Sequence, residues 1–173
     1  IEQGILPPLD FAQLNAFFHV GPVMRETDRG WEVVALEPTS SIRFERYGAD
    51  VVRELRLRAL LGKTTMGPRT AQALAEVGGV YLSKIGVCGH LLARQVRRVC
   101  GVHFLDELGK TEATWVFEVE RLGPFFVAID ASGRSYFADL DAQVADRIAD
   151  VHRALGIPEG FQYTDVGAIG EAQ

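Results

Sequence analysis

Between Leu57 and Leu105 the chain repeats one rhythm of short apolar run, glycine, amphipathic stretch and glycine. Leu57 to Leu61 reads as a strand closed by Gly62. Gly67-Pro68 opens a helix running through about Val77, since proline suits the first helical turn, and Gly78-Gly79 stops it. Val80 to Ile85 reads as a second strand, and Gly86 to Gly89 as a turn into a helix through about Val99. Gly101 ends that helix, and Val102 to Leu105 reads as a third strand. A strand–helix–strand–helix–strand series has few solutions, because parallel neighbours need long crossovers that lie on the sheet. The expectation is an α/β fold with a partly parallel sheet.

The flanks carry other patterns. Residues 1–10 read as irregular, with Pro7 and Pro8 as breakers. Asn15 to Val20 reads as a strand ended by Gly21-Pro22, and Trp31 to Leu36 as another, preceded by a hairpin turn at Asp28-Arg29-Gly30. Arg43 to Leu55 reads as a helix with Phe44, Tyr47, Val51, Val52 and Leu55 on one face. Thr114 to Arg121 alternates as a half-buried strand does. Phe125 to Ile129 reads as a buried strand, turned at Asp130 to Gly133 into Arg134 to Phe137. Asp141 to Leu155 reads as an amphipathic helix capped by Asp139 or Asp141. One domain over 1–155 and a polar tail over 156–173 are expected.

The net charge of −5 argues against nucleic acid as a generic partner, since phosphate binding wants a basic face. No apolar run approaches the roughly 20 residues of a membrane span. Cys88 and Cys100 suggest neither a disulfide framework nor a metal-ligand spacing. A cytoplasmic setting is the default expectation.

Chemistry concentrates in two short segments. Thr39-Ser40-Ser41-Ile42-Arg43 and Gly62-Lys63-Thr64-Thr65-Met66-Gly67 each lie at the end of an apolar run. Hydroxyls between two fixed cations suit a small dicarboxylate. The hydroxyls could equally be a helix N-cap cluster, but an arginine in a first helical turn opposes the helix dipole unless an anion sits there. Gly62-Lys63-Thr64 is no phosphate loop, because the earlier glycine of that motif would fall on Leu57. Gly86-Val87-Cys88-Gly89-His90 lacks the dinucleotide fingerprint, and its glycines serve either close packing or an anion. His19 ends a strand where it could face a site, whereas His90, His103 and His152 read as structural. Cys88 reads as a buried, inert thiol, although a helix N-terminus lowers thiol pKa. Asp106, Glu107 and Glu112, with Lys110 among them, read as a solvated loop, and Trp115 as core.

Taken in order, several segments resemble the beta subunit of iron–sulfur hydro-lyases, the class I fumarases and L(+)-tartrate dehydratases. They are His19-Val20-Gly21-Pro22, Pro38-Thr39-Ser40-Ser41-Ile42-Arg43, Gly62 to Gly67, Gly79-Val80-Tyr81, Leu105 to Gly109, Glu112 to Glu120, and Val127 to Asp130 before Gly133. The resemblance covers about residues 5–140. It implies a swivelling β/β/α domain with a mixed sheet and helices packed on one side. It also implies an alpha-subunit partner holding a [4Fe–4S] cluster on three cysteines, with none of the cluster bound by this chain. The implied reaction is reversible addition of water to a small unsaturated dicarboxylate. By position, Thr39 matches the residue that exchanges the proton beside the carboxylate. Arg43 and Lys63 match the carboxylate ligands, with Ser40 beside them and His19 and Gly62 in support. Ser40 stands where the family usually has threonine, and Ile42 where glycine is common. The chain begins at Ile1, and the family's Arg-Asp-x-x-His segment, whose arginine also binds substrate, is expected upstream. A cluster-free paralogue acting as a binding or structural module is the alternative, and two-subunit assembly about a twofold axis is the expected arrangement.

Overall fold

The computed structural model describes residues 6–86, 88–158 and 160–161. Most of the tail expected over 156–173, and the first five residues, lie outside that set. By their contacts the described residues up to Tyr136 form one unit and those from Phe137 a second.

The first unit is built on a four-stranded sheet. Its strands are β1 (Ala16–Phe18), β4 (Ala59–Gly62), β5 (Val80–Lys84) and β8 (Phe125–Ile129), in the order β1-β4-β5-β8. β1, β4 and β5 are parallel and β8 closes the edge antiparallel to β5. The α/β fold with a mixed sheet is therefore as expected. The third parallel strand, however, is β1 and not Val102 to Leu105.

Between β1 and β4 the chain inserts a hairpin, β2 (Val20–Thr27) with β3 (Gly30–Pro38), then a 3-10 turn (Ser41–Phe44) and α1 (Glu45–Leu55). Gly21-Pro22 does not end a strand. It lies inside β2, where Pro22 sits opposite Leu36. A two-stranded sheet leaves each strand one edge that needs no N–H donor, so proline is tolerated there. The break falls instead at His19, between β1 and β2.

α1 buries Gly48, Ala49, Val52 and Leu55, while Tyr47 is exposed. Its face is thus rotated from the expected one, because α2 (Pro68–Val77) approaches closely over small residues. A Cβ on Gly48 would stand 2.4 Å from Thr70 Oγ1 and 2.6 Å from Met66 Cε. α2 has the expected bounds, with Pro68 at its start and Gly78 in the left-handed region at its end (φ 69°). Leu57, Leu60, Leu74, Tyr81 and Ile129 are among the fully buried side chains at the centre of this unit.

The expected helix through Val99 stops early. α3 spans only Gly89–Ala93, and Val96–His103 is a strand, β6, paired antiparallel with β7 (Thr114–Val119) in a separate two-stranded sheet. Valines at 96, 99 and 102 favour extended backbone. Partners on and just beyond β7 complete the choice, since Arg98 binds Glu118 through two nitrogens (3.1 and 2.9 Å) and Arg97 pairs with Glu120. Between them α4 (Leu105–Glu112) replaces the expected loop and kinks at Gly109. Trp115 is half-buried, edge-on to Trp31 at 5.2 Å.

Arg134 to Phe137 forms no strand. Ser135 makes an isolated bridge to Ile129, and α5 (Tyr136–Ala154) begins directly after it. Asp139 and Asp141 consequently lie inside α5 and not at its cap. No helix among the described residues is long and apolar enough to cross a membrane.

Candidate functional site

The parallel strands β1, β4 and β5 all end on one side of the sheet, the side where open α/β sheets place ligands. His19 follows β1, Gly62 closes β4 with Lys63 after it, and Lys84 closes β5. The end of β3 joins them there. Ser40 makes a parallel bridge to Lys63, and Ser41 N donates to Lys63 O at 3.2 Å. The two segments singled out in the sequence, separated by some twenty residues, are thus hydrogen-bonded to each other.

The Lys63 peptide is held on both sides. Its N–H donates to Ser41 Oγ at 3.2 Å, and its carbonyl accepts from Tyr81 Oη at 3.2 Å as well as from Ser41 N. Ser41 and Tyr81 have no solvent exposure. Burial pushes the Tyr81 phenol up to about 12, against a smaller lowering from its bond with Ser41, so it remains a protonated donor. Gly62 leaves room for this arrangement, because a Cβ there would stand 1.9 Å from Ser41 Oγ and 2.7 Å from Tyr81 Oη.

The hydroxyl cluster does not serve as a helix cap. Ser40 precedes the 3-10 turn without a side-chain capping bond, and Arg43 N donates to Ser40 O at 3.3 Å. Ser41 is committed to Lys63, while the half-buried Thr39 makes no side-chain hydrogen bond among the described residues. Among the described residues, neither the Arg43 nor the Lys63 side chain has an ion-pair or hydrogen-bond partner. A site with two uncommitted cations and a free hydroxyl can bind a small dianion.

Glu45, the first residue of α1, ties the two segments together from behind. Its carboxylate accepts from Gly67 N (2.7 Å), Arg69 N (3.0 Å), Thr70 N (3.2 Å) and Thr70 Oγ1 (2.7 Å). It caps the start of α2 from another helix, satisfying N–H groups that otherwise have no partner. Sequence reasoning missed this role, since the cap lies 22 to 25 residues from the groups it serves. It also missed Ser41 and Tyr81 as a pair, although polar Tyr81 and Ser83 at alternate positions of an apolar strand were a legible signal of inward hydrogen bonding.

His19 lies against this site through its backbone, His19 N donating to Leu61 O at 2.9 Å. Its ring sits beside Phe17 (5.7 Å) and Phe44 (4.8 Å), and Nδ1 is buried without a partner among the described residues. Desolvation lowers its pKa to about 4, so the imidazole is neutral near pH 7. Cys88 and Cys100 are free thiols outside this cluster, and Cys88 is exposed, not buried as expected, because it stands just before the short helix α3.

The fumarase C-terminus family matches residues 2–140, most of the chain. The chain belongs to that family. Among curated relatives, this family member is 33% identical over 144 residues to the putative L(+)-tartrate dehydratase subunit beta of Methanocaldococcus jannaschii, covering 83% of this chain and 73% of that one. It is 33% identical over 133 residues to the L(+)-tartrate dehydratase subunit beta of Escherichia coli, covering 77% of this chain and 66% of that one. It is 39% identical over 133 residues to the putative fumarate hydratase class I of Geobacillus stearothermophilus, covering 76% of this chain and 26% of that one. The fumarase C-terminus region thus corresponds to part of a longer sequence in each. Among the described residues there is no group of three or more His, Cys, Asp or Glu able to hold a metal ion.

Proposed function

We propose that this chain supplies the substrate-holding half of a hydro-lyase that reversibly adds water to a small unsaturated dicarboxylate, of the fumarate/malate or tartrate/oxaloacetate kind. One observation carries the reading. Arg43 and Lys63, free of acidic partners, sit on backbone segments hydrogen-bonded to each other beside the uncommitted Thr39 hydroxyl. Arg43 and Lys63 hold the carboxylates, and the charge that builds on one of them in the transition state falls between two fixed cations. Thr39 moves the proton at the adjacent carbon. A threonine hydroxyl is a weak base, and nearby cations favour its ionised form. Ser40 offers a further hydroxyl, His19 and Gly62 shape the wall, and the Ser41–Tyr81 pair fixes the Lys63 backbone.

The family resemblance assigns a [4Fe–4S] cluster to an alpha subunit, where it supplies a Lewis acid for the hydroxyl. That two relatives are named as beta subunits supports such a partner.

Co-expression with a cluster-bearing partner, anaerobic purification and hydration assays on fumarate, tartrate and mesaconate test the reading. Turnover is expected, with Arg43→Ala and Lys63→Ala each losing about 100-fold or more while circular dichroism stays native. Near wild-type turnover in both variants would overturn the residue roles. A wild-type complex inactive on all three diacids would favour the cluster-free binding module.

A further inference from the structure

Lys84 is the buried charge that the roles above leave unused. Its side chain is 4% exposed, at the end of β5, and its ammonium donates to Glu37 Oε2 at 2.9 Å. Burying an ammonium is costly unless a counter-charge meets it. Glu37 is 41% exposed, so the pair sits at the margin of the interior, half in reach of water.

The location of this pair is informative. Glu37 stands near the end of β3, two residues before Thr39. β3 belongs to the two-stranded sheet and β5 to the four-stranded one, so the ion pair joins the two sheets where both end. α3 closes over the same point: a Cβ on Gly89 would stand 3.1 Å from Glu37 Oε2 and 3.2 Å from Leu36 O. Three residues further along, Ser40 and Ser41 are bonded to Lys63 after β4. The segment 37–41 is therefore pinned at both ends, to β5 through Glu37 and to β4 through Ser40 and Ser41. Thr39 lies between the pins and, among the described residues, makes no side-chain bond of its own.

We propose that Lys84 is a positioning residue, which through Glu37 fixes the backbone that carries Thr39. The catalytic consequence rests on the role given to Thr39 above; the mechanical part does not. Without the Glu37–Lys84 bond, the strand end keeps its ladder to β2 through Val20 and Gly21 but loses its tie to β5, and Thr39, the first residue beyond β3, gains freedom. Displacements on the order of 1 Å at a reacting group can cost about 100-fold in rate.

The test uses the full chain and Lys84→Met, which fills the buried volume without a charge, beside Glu37→Gln, which keeps the shape of its partner. Amide hydrogen exchange is the first readout. Ser41 and Arg43 amides are expected to exchange about tenfold faster in both variants, with Ala71 in α2 unchanged, because local opening is set by local contacts. Unchanged protection at Ser41 and Arg43 in both variants overturns the proposal. The second readout is turnover in the complex with the partner. Lys84→Met should lower kcat about tenfold or more with KM within about twofold, and Lys84→Arg should restore most of it. A lowered melting point with wild-type kcat means a merely structural pair and also overturns the proposal. If the wild-type complex turns over no diacid, the hydro-lyase reading fails, while the exchange data still decide whether Lys84 pins the segment.

Discussion

The Tyr81 phenol, without solvent exposure, donates to the backbone carbonyl of Lys63 at 3.2 Å. Tyr81→Phe keeps the ring and removes the donor. The Lys63 carbonyl retains Ser41 N, so the loss is that of one buried neutral bond, about 1 kcal/mol by urea denaturation at pH 7. The variant also changes alkaline behaviour. A phenol whose pKa is raised from 10 to about 12 by folding gives stability that is complete below pH 10 and lost as pH rises to about 12. Tyr81→Phe should therefore show a flatter decline over that range.

Gly62 answers to the same pair of residues. Its missing Cβ would overlap Ser41 Oγ, the nearest atom, at 1.9 Å. Gly62→Ala is expected to cost on the order of 1–3 kcal/mol, the range for overpacked interiors. Because the nearest obstacle is a single hydroxyl, Ser41→Gly in the same chain should return part of that loss. Denaturation midpoints of the two single variants and the double variant check this. Strict additivity, with no recovery in the double variant, would mean that the overlap is relieved elsewhere.

His19 gives the fold an acid-side weakness. The unfolded imidazole takes its proton near pH 6.5, whereas the folded one, desolvated between Phe17 and Phe44, takes it only at about 4. More protons are bound by the unfolded chain across that window, so stability falls as pH drops from about 6.5 to about 4. Between pH 7 and pH 5 the loss is on the order of 1–2 kcal/mol. His19→Leu removes the titration, and urea midpoints at pH 7 and pH 5 should then move closer together. An unaltered pH slope in the variant would place the acid sensitivity on other groups.

Local signals were enough for α2, β8 and the hairpin turn at Asp28-Arg29, because proline, glycine and apolar runs act over a few residues. They failed at β6. There Arg94 to Val99 looked like the end of a helix, and the deciding partners, Glu118 and Glu120, lay some twenty residues downstream. The same holds for the site. Thr39, Arg43 and Lys63 could be picked out by residue type at strand ends, and the structure brings their backbones together. Ser41, Glu45 and Lys84 could not, since each acts on a group contributed by a distant turn or strand.

Glu45 has a consequence for the distance between the two cations. It lies two residues after Arg43, and it grips the N–H of Gly67, four residues after Lys63. On the other flank, Ser41 grips Lys63 directly. The gap between Arg43 and Lys63 is thus spanned by a rigid bracket and not by the slack of two loops. Such a bracket sets how far apart the two side chains start, so under the proposed function a change in the length of the anion accepted involves the bracket as well as the side chains at its tips.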